Sequence, residues 1–291
     1  MNFALERYKE QIIVNEAFRD SLQKELESNH ISEGTILLAA NEILFDPGFG
    51  FTYGSNGNSF PGRIDMIIVA DRFDSMGRMI DISWPHGRSN AVGVPPKAGK
   101  GDPASKNGNR LEDIKRAGRG NTGRTGNPGG LGGNGMNIKV FCDHLVSIQI
   151  TSNGGSGGRG GQGGQGGDGG DGGIFSVLKE NPPPKFTNAS VPGGQAGKGG
   201  PGGPGGPGGN GGKIELLYCN PAILPTIHLV SNGGRGGEPG PPGPAGGGHQ
   251  PLEVGDPGAT GAVGFPSIPD VKKVGSTELW ERVSMELGLS S

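Results

Sequence analysis

Residues 154–212 limit what this chain can fold into more than any other stretch. They read GGSGGRGGQGGQGGDGGDGG, then IFSVLKENPPPKFTNASVP, then GGQAGKGGPGGPGGPGGNGG. The two glycine arms, 154–173 and 193–212, are equally long and carry glycine at two of every three positions through most of their length. A period of three fits the left-handed polyproline II conformation, which has three residues per turn and no internal hydrogen bonds. One such arm alone is solvated coil. Arms side by side can hydrogen-bond each other, because faces without side chains let backbones approach closely. The stretch therefore reads as an outbound rod, a turn loop and a return rod, reaching about 60 Å for twenty residues. On this reading a β-branched residue at Gly164 has no room.

A second repeat begins at Thr35. TILLAAN (35–41), DMIIVAD (65–71), NIKVFCD (137–143) and ELLYCN (215–220) each join an apolar strand to a small residue followed by Asn or Asp. The pairs are Ala40–Asn41, Ala70–Asp71, Cys142–Asp143 and Cys219–Asn220. A second alternating strand follows each: Phe49, Phe51 and Tyr53; Ile80, Ile82 and Trp84; Ile148 and Ile150; Ile227 and Leu229. Three units then reach Ser-Asn-Gly, at 55–57, 152–154 and 231–233, and the second unit has Pro85–His86–Gly87 there. Units that cannot bury their own apolar face stack on one another. Strand, Asx corner, strand and turn make the cycle of a parallel β-helix rung, the Asx residue tolerating the corner. The alignment stacks Cys142 on Cys219 as small buried residues; a metal or redox pair is the alternative.

The Asx residues stand 30, 72 and 77 positions apart, and the long intervals hold the glycine. Each later rung thus sends out a glycine-rich excursion and takes it back. The first turns at 109–117, the second at 174–192 and the third at 249–254, so straight arms place all three loops at one far end. The expected fold is mostly β: parallel β-helix-like rungs continuing into a polyglycine II helix bundle, with short terminal α-helices. Four regions follow. An N-terminal helix occupies 1–30, on the spacing of Leu5, Tyr8, Ile12 and then Phe18, Leu22, Leu26, with Asn29 as its stop. A β-rung body covers 31–86. The glycine-rich bundle spans 87–266, with rungs at 137–153 and 214–232. A linker and C-terminal helix fill 267–291, with Ser276 or Thr277 as cap.

The remaining composition excludes several classes. Gly and Pro number 63 and 24 of 291 residues and aromatics are 5%, which leaves little for a large conventional core. The formal net charge of −2, with scattered Lys and Arg, favours neither nucleic acid nor an anionic membrane. Two cysteines are too few for a disulfide scaffold. The charged start MNFALERYKEQIIVNEAF lacks a secretory h-region, and no apolar run approaches a membrane span. The expected location is the cytoplasm at synthesis, with a virion as the alternative end point.

No arrangement points to catalysis. Gly154–Gly158 matches G-x-S-x-G only inside a glycine repeat, with no strand–turn–helix around it. The five histidines are dispersed, so no zinc site is expected, and no cofactor is implied. Asp168 and Asp171 in GGDGGDGG have the spacing of calcium-binding repeats but lack the apolar residue those require, and calcium remains the alternative there.

GEPGPPGPAGGG (237–248), GDPGATGAVGFP (255–266) and GRTGNPGGLGGNG (123–135) are collagen-like triplets, yet they run out and back within one chain. Paired glycines over roughly 87–266, joined by short loops, resemble the polyglycine II sandwich of phage tail-fibre adhesins. That resemblance implies a compact bundle whose distal loops bind a host receptor. This chain departs from the family in its rungs at 35–84 and in tip loops poor in aromatics. The expected function is a non-enzymatic recognition or scaffold element, in its specific form a receptor-binding tip adhesin. Loop 174–192 is the main candidate, with Phe175 and Phe186 as anchors and Lys179, Glu180 and Lys185 for polar contacts. The alternative is an intracellular structural or regulatory subunit, for example of a protease or defence effector, docked through its terminal helices by Leu279, Trp280, Val283 and Leu287.

Overall fold

The computed structural model describes residues 3–31, 33–52, 63–84, 95–179, 184–248 and 254–289. The chain is mostly β, with a large parallel sheet and, among the described residues, two α-helices. In chain order the strands are β1 (Leu5–Val14), β2 (Glu33–Phe45), β3 (Phe51–Thr52), β4 (Arg63–Asp81), β5 (Ser105–Lys106), β6 (Ile114–Lys115), β7 (Ile138–Thr151), β8 (Gly173–Lys179), β9 (Lys185–Val191), β10 (Ile214–Val230) and β11 (Asp270–Lys273). The helices are α1 (Glu16–Ser28) and α2 (Ser276–Leu287). The sheet runs β1-β2-β4-β7-β10-β11, with β3 on the far half of β4, so spatial order follows chain order.

The long strands are apolar on both faces in their first halves. Met66 to Ala70 is unbroken, as expected of a parallel sheet covered on two sides. Ile68, Ala70, Val140 and Cys142 point into the main core, while Ile67, Val69, Phe141 and Leu217 point the other way, onto α2. At the Asx positions the alternation breaks. The inward residues jump from Ala40 to Ile43, from Ala70 to Phe73 and from Cys142 to Leu145, so two residues in a row turn outward. That bend lets both halves of each strand face one core, which Leu22 and Leu26 of α1 help to close.

Two expectations need correction. Residues 3–28 are not one helix. β1 pairs in parallel with β2 from Leu5–Ile36 to Val14–Phe45, and Asn15 then caps α1 by accepting from Phe18 N at 2.9 Å. The edge of β2 needs a strand to satisfy its backbone, and that need overrides the helical spacing of Leu5, Tyr8 and Ile12. Asn29 does end the helix, as expected. The fourth rung is also one residue out of the expected alignment: Tyr218, not Cys219, pairs with Cys142. A slip of one position sends a side chain to the opposite face. Cys142 therefore lies in the main core and Cys219 in the cluster under α2, both as free thiols.

Between the strands run six glycine-rich arms: outbound 95–104, 152–172 and 231–248, returning 118–135, 192–212 and 254–266. Their backbones are bonded at every third residue. In the third arm Gly155, Gly158, Gly161, Gly164, Gly167 and Gly170 donate to the second arm, and Gly154, Gly157, Gly160, Gly163, Gly166 and Gly169 donate to the fifth, at 2.7–3.0 Å. The fourth arm donates likewise to the third, from Gly194 to Gly212, and to the sixth, from Gly202 to Gly211. Outbound arms bond each other in parallel, returning arms do the same, and the two layers are joined by antiparallel bonds.

Glycine density follows the number of neighbours. The third arm contacts four others and spends both glycines of each triplet as donors. Among the described residues the sixth bonds to the fourth and fifth; there Gly255, Gly258, Gly261 and Gly264 donate, one per triplet, and the other positions carry side chains. The collagen-like triplets thus belong to the less surrounded arms. Pro201, Pro204 and Pro207 sit at the one triplet position of the fourth arm that donates to no neighbouring backbone, so the missing N–H costs nothing there.

Side chains manage the change from strand bonding, with its period of two, to arm bonding. Buried Ser152 donates to Met136 O and buried Ser231 to Gly212 O, each at 2.6 Å. Asn153 Oδ1 accepts from Asn232 N at 2.8 Å. These are the Ser-Asn-Gly segments at 152–154 and 231–233; the one at 55–57 and the Pro-His-Gly turn at 85–87 lie outside the described residues.

Candidate functional site

Antiparallel arm bonds fix where the chain turns. Gly118 N donates to Asp102 O, Gly194 N to Gly170 O and Gly255 N to Gly243 O, so all three excursions reverse at one end. Segment 174–192 is a β-hairpin, not an open loop: β8 pairs antiparallel with β9 from Gly173–Val191 to Lys179–Lys185. The first turn, 105–117, lies along the outer edge of β8. Leu178 N donates to Asn109 O at 2.7 Å, and Lys106 Nζ donates to Ser176 O. This turn is itself closed by Arg110 N on Asp113 Oδ2 at 2.7 Å. Most of the third turn lies outside the described residues.

The hairpin register divides the expected binding residues between two faces. Phe175 opposite Ala189, Val177 opposite Thr187 and Lys179 opposite Lys185 share one face. Ile174, Leu178 and Phe186 share the other. Val177 is buried and Phe175 half-buried, whereas Phe186 is 64% and Ile174 72% exposed. Glu180 lies outside the described residues. Directly opposed lysines repel and weaken a strand pair, and the tip keeps Lys179 and Lys185 in that position. Leu111, 67% exposed on the adjoining turn, and Ile174 were not singled out from the sequence. For Ile174 the signal is the alternation IFSVL, which exposes one residue in two once the segment is a hairpin.

The other candidate surface is α2. Leu279 and Val283 are buried against Leu37, Ile67, Val69, Phe141, Leu217 and Cys219, and Leu287 packs beside them. Lys139 and Glu286 form an ion pair of 2.6 Å at its edge. The apolar stripe expected to dock a partner is thus spent on the chain's own sheet. Trp280, Met285 and Leu289 stay exposed. Trp280 separates an open groove of about 820 Å³, which also touches Glu281 and Ser284, from one of about 460 Å³ that reaches Tyr8, Asn41 and Asp71.

Among the described residues, no three His, Cys, Asp or Glu side chains gather where they could hold a metal ion. Asp168 and Asp171 face lysines, Asp168 Oδ2 at 2.6 Å from Lys97 Nζ and Asp171 Oδ2 at 2.7 Å from Lys100 Nζ. The hydrogen bond from Lys97, followed by that from Gly247 N, holds the Asp168 carboxyl below its ordinary pKa. Burial pushes the Cys142 thiol up to about 12. Such a thiol is a poor nucleophile. Among the described helices, none is long and apolar enough to cross a membrane. The chain matches no protein-family profile, no curated protein and no solved structure.

Proposed function

We propose that this protein is a non-enzymatic, rigid recognition element: β-helix-like rungs continue into a polyglycine II bundle that presents a binding tip. Its specific form is a receptor-binding adhesin of the phage tail-fibre type. The observation that carries the reading is the bonding of the third arm. Four neighbours hold it at every third residue along its length, and its distal end carries a hairpin with Ile174 and Phe186 in solvent. Loops on a rigid scaffold are favoured binding sites, because little order is lost on contact. The exposed apolar face supplies contact area, and Lys179 and Lys185 on the other face suit an acidic group.

Replacing 174–192 with a short Gly/Ser turn tests this. The expected product keeps the wild-type melting temperature within a few degrees and loses binding to host-cell surfaces. Full retention of binding by the folded variant overturns the tip assignment.

A second reading, a structural or regulatory subunit docked at the terminal helices, is favoured by one feature. Trp280 is 39% exposed between two grooves although its helix is already packed. In that case Trp280→Ala, not the hairpin exchange, abolishes partner binding.

A further inference from the structure

The two layers of arms end in faces of opposite character. In the third and fourth arms one triplet position donates to no neighbouring arm's backbone, and its side chain points away from the layers; the residues level with it in the flanking arms share its face. On the outbound side, the third arm puts Arg159, Gln162, Gln165, Asp168 and Asp171 there. Beside them lie Lys97 and Lys100, bonded to the two aspartates, and Glu238 beside Arg159. The returning side differs. Gly129 N on Pro204 O and Gly205 N on Ala259 O align Pro128, Pro204 and Ala259 in one row. Gly132 N on Pro207 O and Gly208 N on Ala262 O align Leu131, Pro207 and Ala262 in the next. Asn134, Asn210 and Phe265 form the row after that, stitched by side-chain amides: Asn134 Oδ1 accepts from Asn210 N and Asn210 Oδ1 from Phe265 N. Leu131 is 73% and Phe265 75% exposed. Lys198 paired with Asp256 closes the face on the tip side.

We propose that this returning face is the contact surface of a homodimer, in which two copies of the chain pack slab against slab. Three arguments select a second copy as the occupant. The first is size. Residues about 9.3 Å apart along arms spaced about 4.8 Å give an outline of about 400 Å² over these three rows. That is the size of the largest patch a typical monomer leaves in water, and flanking Val263 and Ile268 extend it towards the roughly 800 Å² per partner of a stable interface. The second is shape. The face is a flat grid with a three-residue repeat, and a surface with the same repeat fills it without voids; this chain supplies one. The third is closure. Pairing the apolar faces leaves both charged faces outside, so the assembly stops at two copies.

The sheet fixes the orientation. The outward row of the second arm continues through Asn137 to Lys139 and Phe141, on which α2 packs. α2 therefore stands as a step at one end of the face. Two copies fit only with their arms antiparallel, each α2 beside the other's tip.

Sedimentation equilibrium of the full chain across a concentration series tests the proposal. The expected species is a dimer. Leu131→Lys with Ala262→Lys weakens association at least 100-fold and leaves the circular-dichroism spectrum unchanged, since both side chains are in solvent within one copy. Gln162→Lys with Gln165→Lys, at equivalent positions on the charged face, leaves the dimer intact. Should the double charge unfold the chain, Pro204→Glu replaces it, at a position that donates no backbone bond. A monomer throughout the series, or a dimer that survives a folded face variant, overturns the proposal.

Discussion

Tyr218 stands opposite Cys142 across the β10–β7 pair, and Cys219, one residue on, faces the other side of the sheet. The two thiols are neighbours in space with side chains pointing apart, a geometry no disulfide can bridge without backbone movement. Oxidants should leave the native chain without an intramolecular disulfide. A thiol reagent should label neither cysteine in the native state and both in denaturant. Labelling of Cys142 in the native state at the rate of a free thiol contradicts the packing. The raised Cys142 value also sets a pH dependence. A thiol whose folded pKa lies above its unfolded one contributes stability that is complete below the unfolded pKa, about 8.5, and is lost as pH rises towards about 12. Stability should fall above pH 8.5 by up to about 1.4 kcal/mol per unit. Cys142→Ala, which matches Ala70 on the adjacent strand, should remove the Cys142 share of that slope and leave the part from Cys219, whose thiol pKa burial also raises.

Glycines of the inner arms are not equivalent. A Cβ on Gly203 falls onto the Asn127 carbonyl, a backbone atom that cannot step aside. A Cβ on Gly164 meets Pro95 Cβ and Arg124 N at 3.1 Å, a tight contact but not a collision. The sequence-based expectation at Gly164 concerns a β-branched residue; a single Cβ is accommodated there once its neighbours give by a few tenths of an ångström. Gly203→Ala should cost about 3 kcal/mol or more through overpacking and Gly164→Ala about 1 kcal/mol or less. Denaturant melts of both variants measure the difference. Equal melts mean that the arms are not packed as described.

Asp168 joins the first, third and fifth arms, through Lys97 on one side and Gly247 N on the other. Its folded pKa is depressed, chiefly by the Lys97 bond, so its contribution to stability is present above the unfolded value of about 3.9 and is lost as pH falls through the folded one. Asp168→Asn should lower the melting temperature at neutral pH and have no effect once wild type is fully protonated. A deficit that persists unchanged into strong acid contradicts the ion pair.

Much of this architecture is legible in the sequence because its periods are local. The apolar first halves of β4 and β7, the outward Asx corners and the bonding of arms at every third residue all follow from residues a few positions apart. What was not legible depends on pairing at a distance. β1 carries helical spacing and becomes a strand because β2 offers it an edge. The register of β10 is set by Ile214, Leu216 and Tyr218 continuing the inward row of Ile138, Val140 and Cys142, and the small–Asx pattern at Cys219–Asn220 misleads by one position. At the tip, Phe175 and Phe186 fall on opposite faces only once Lys179 meets Lys185. The contrast between charged and apolar slab faces emerges only when residues such as Leu131, Pro207 and Ala262, distant in the chain, are brought into one row.

Bonding at every third residue also makes the molecule's reach a quantity that comes in whole steps. One triplet added to the third arm alone shifts every bond on its tip side and strands partners in four neighbours. One triplet added to each outbound arm and to its return restores all of them, about 9 Å further out. The parallel sheet and the hairpin are untouched by such a change. The span between them can therefore lengthen or shorten by matched insertions and deletions in steps of three residues, as a ladder grows by rungs, while both ends keep their chemistry.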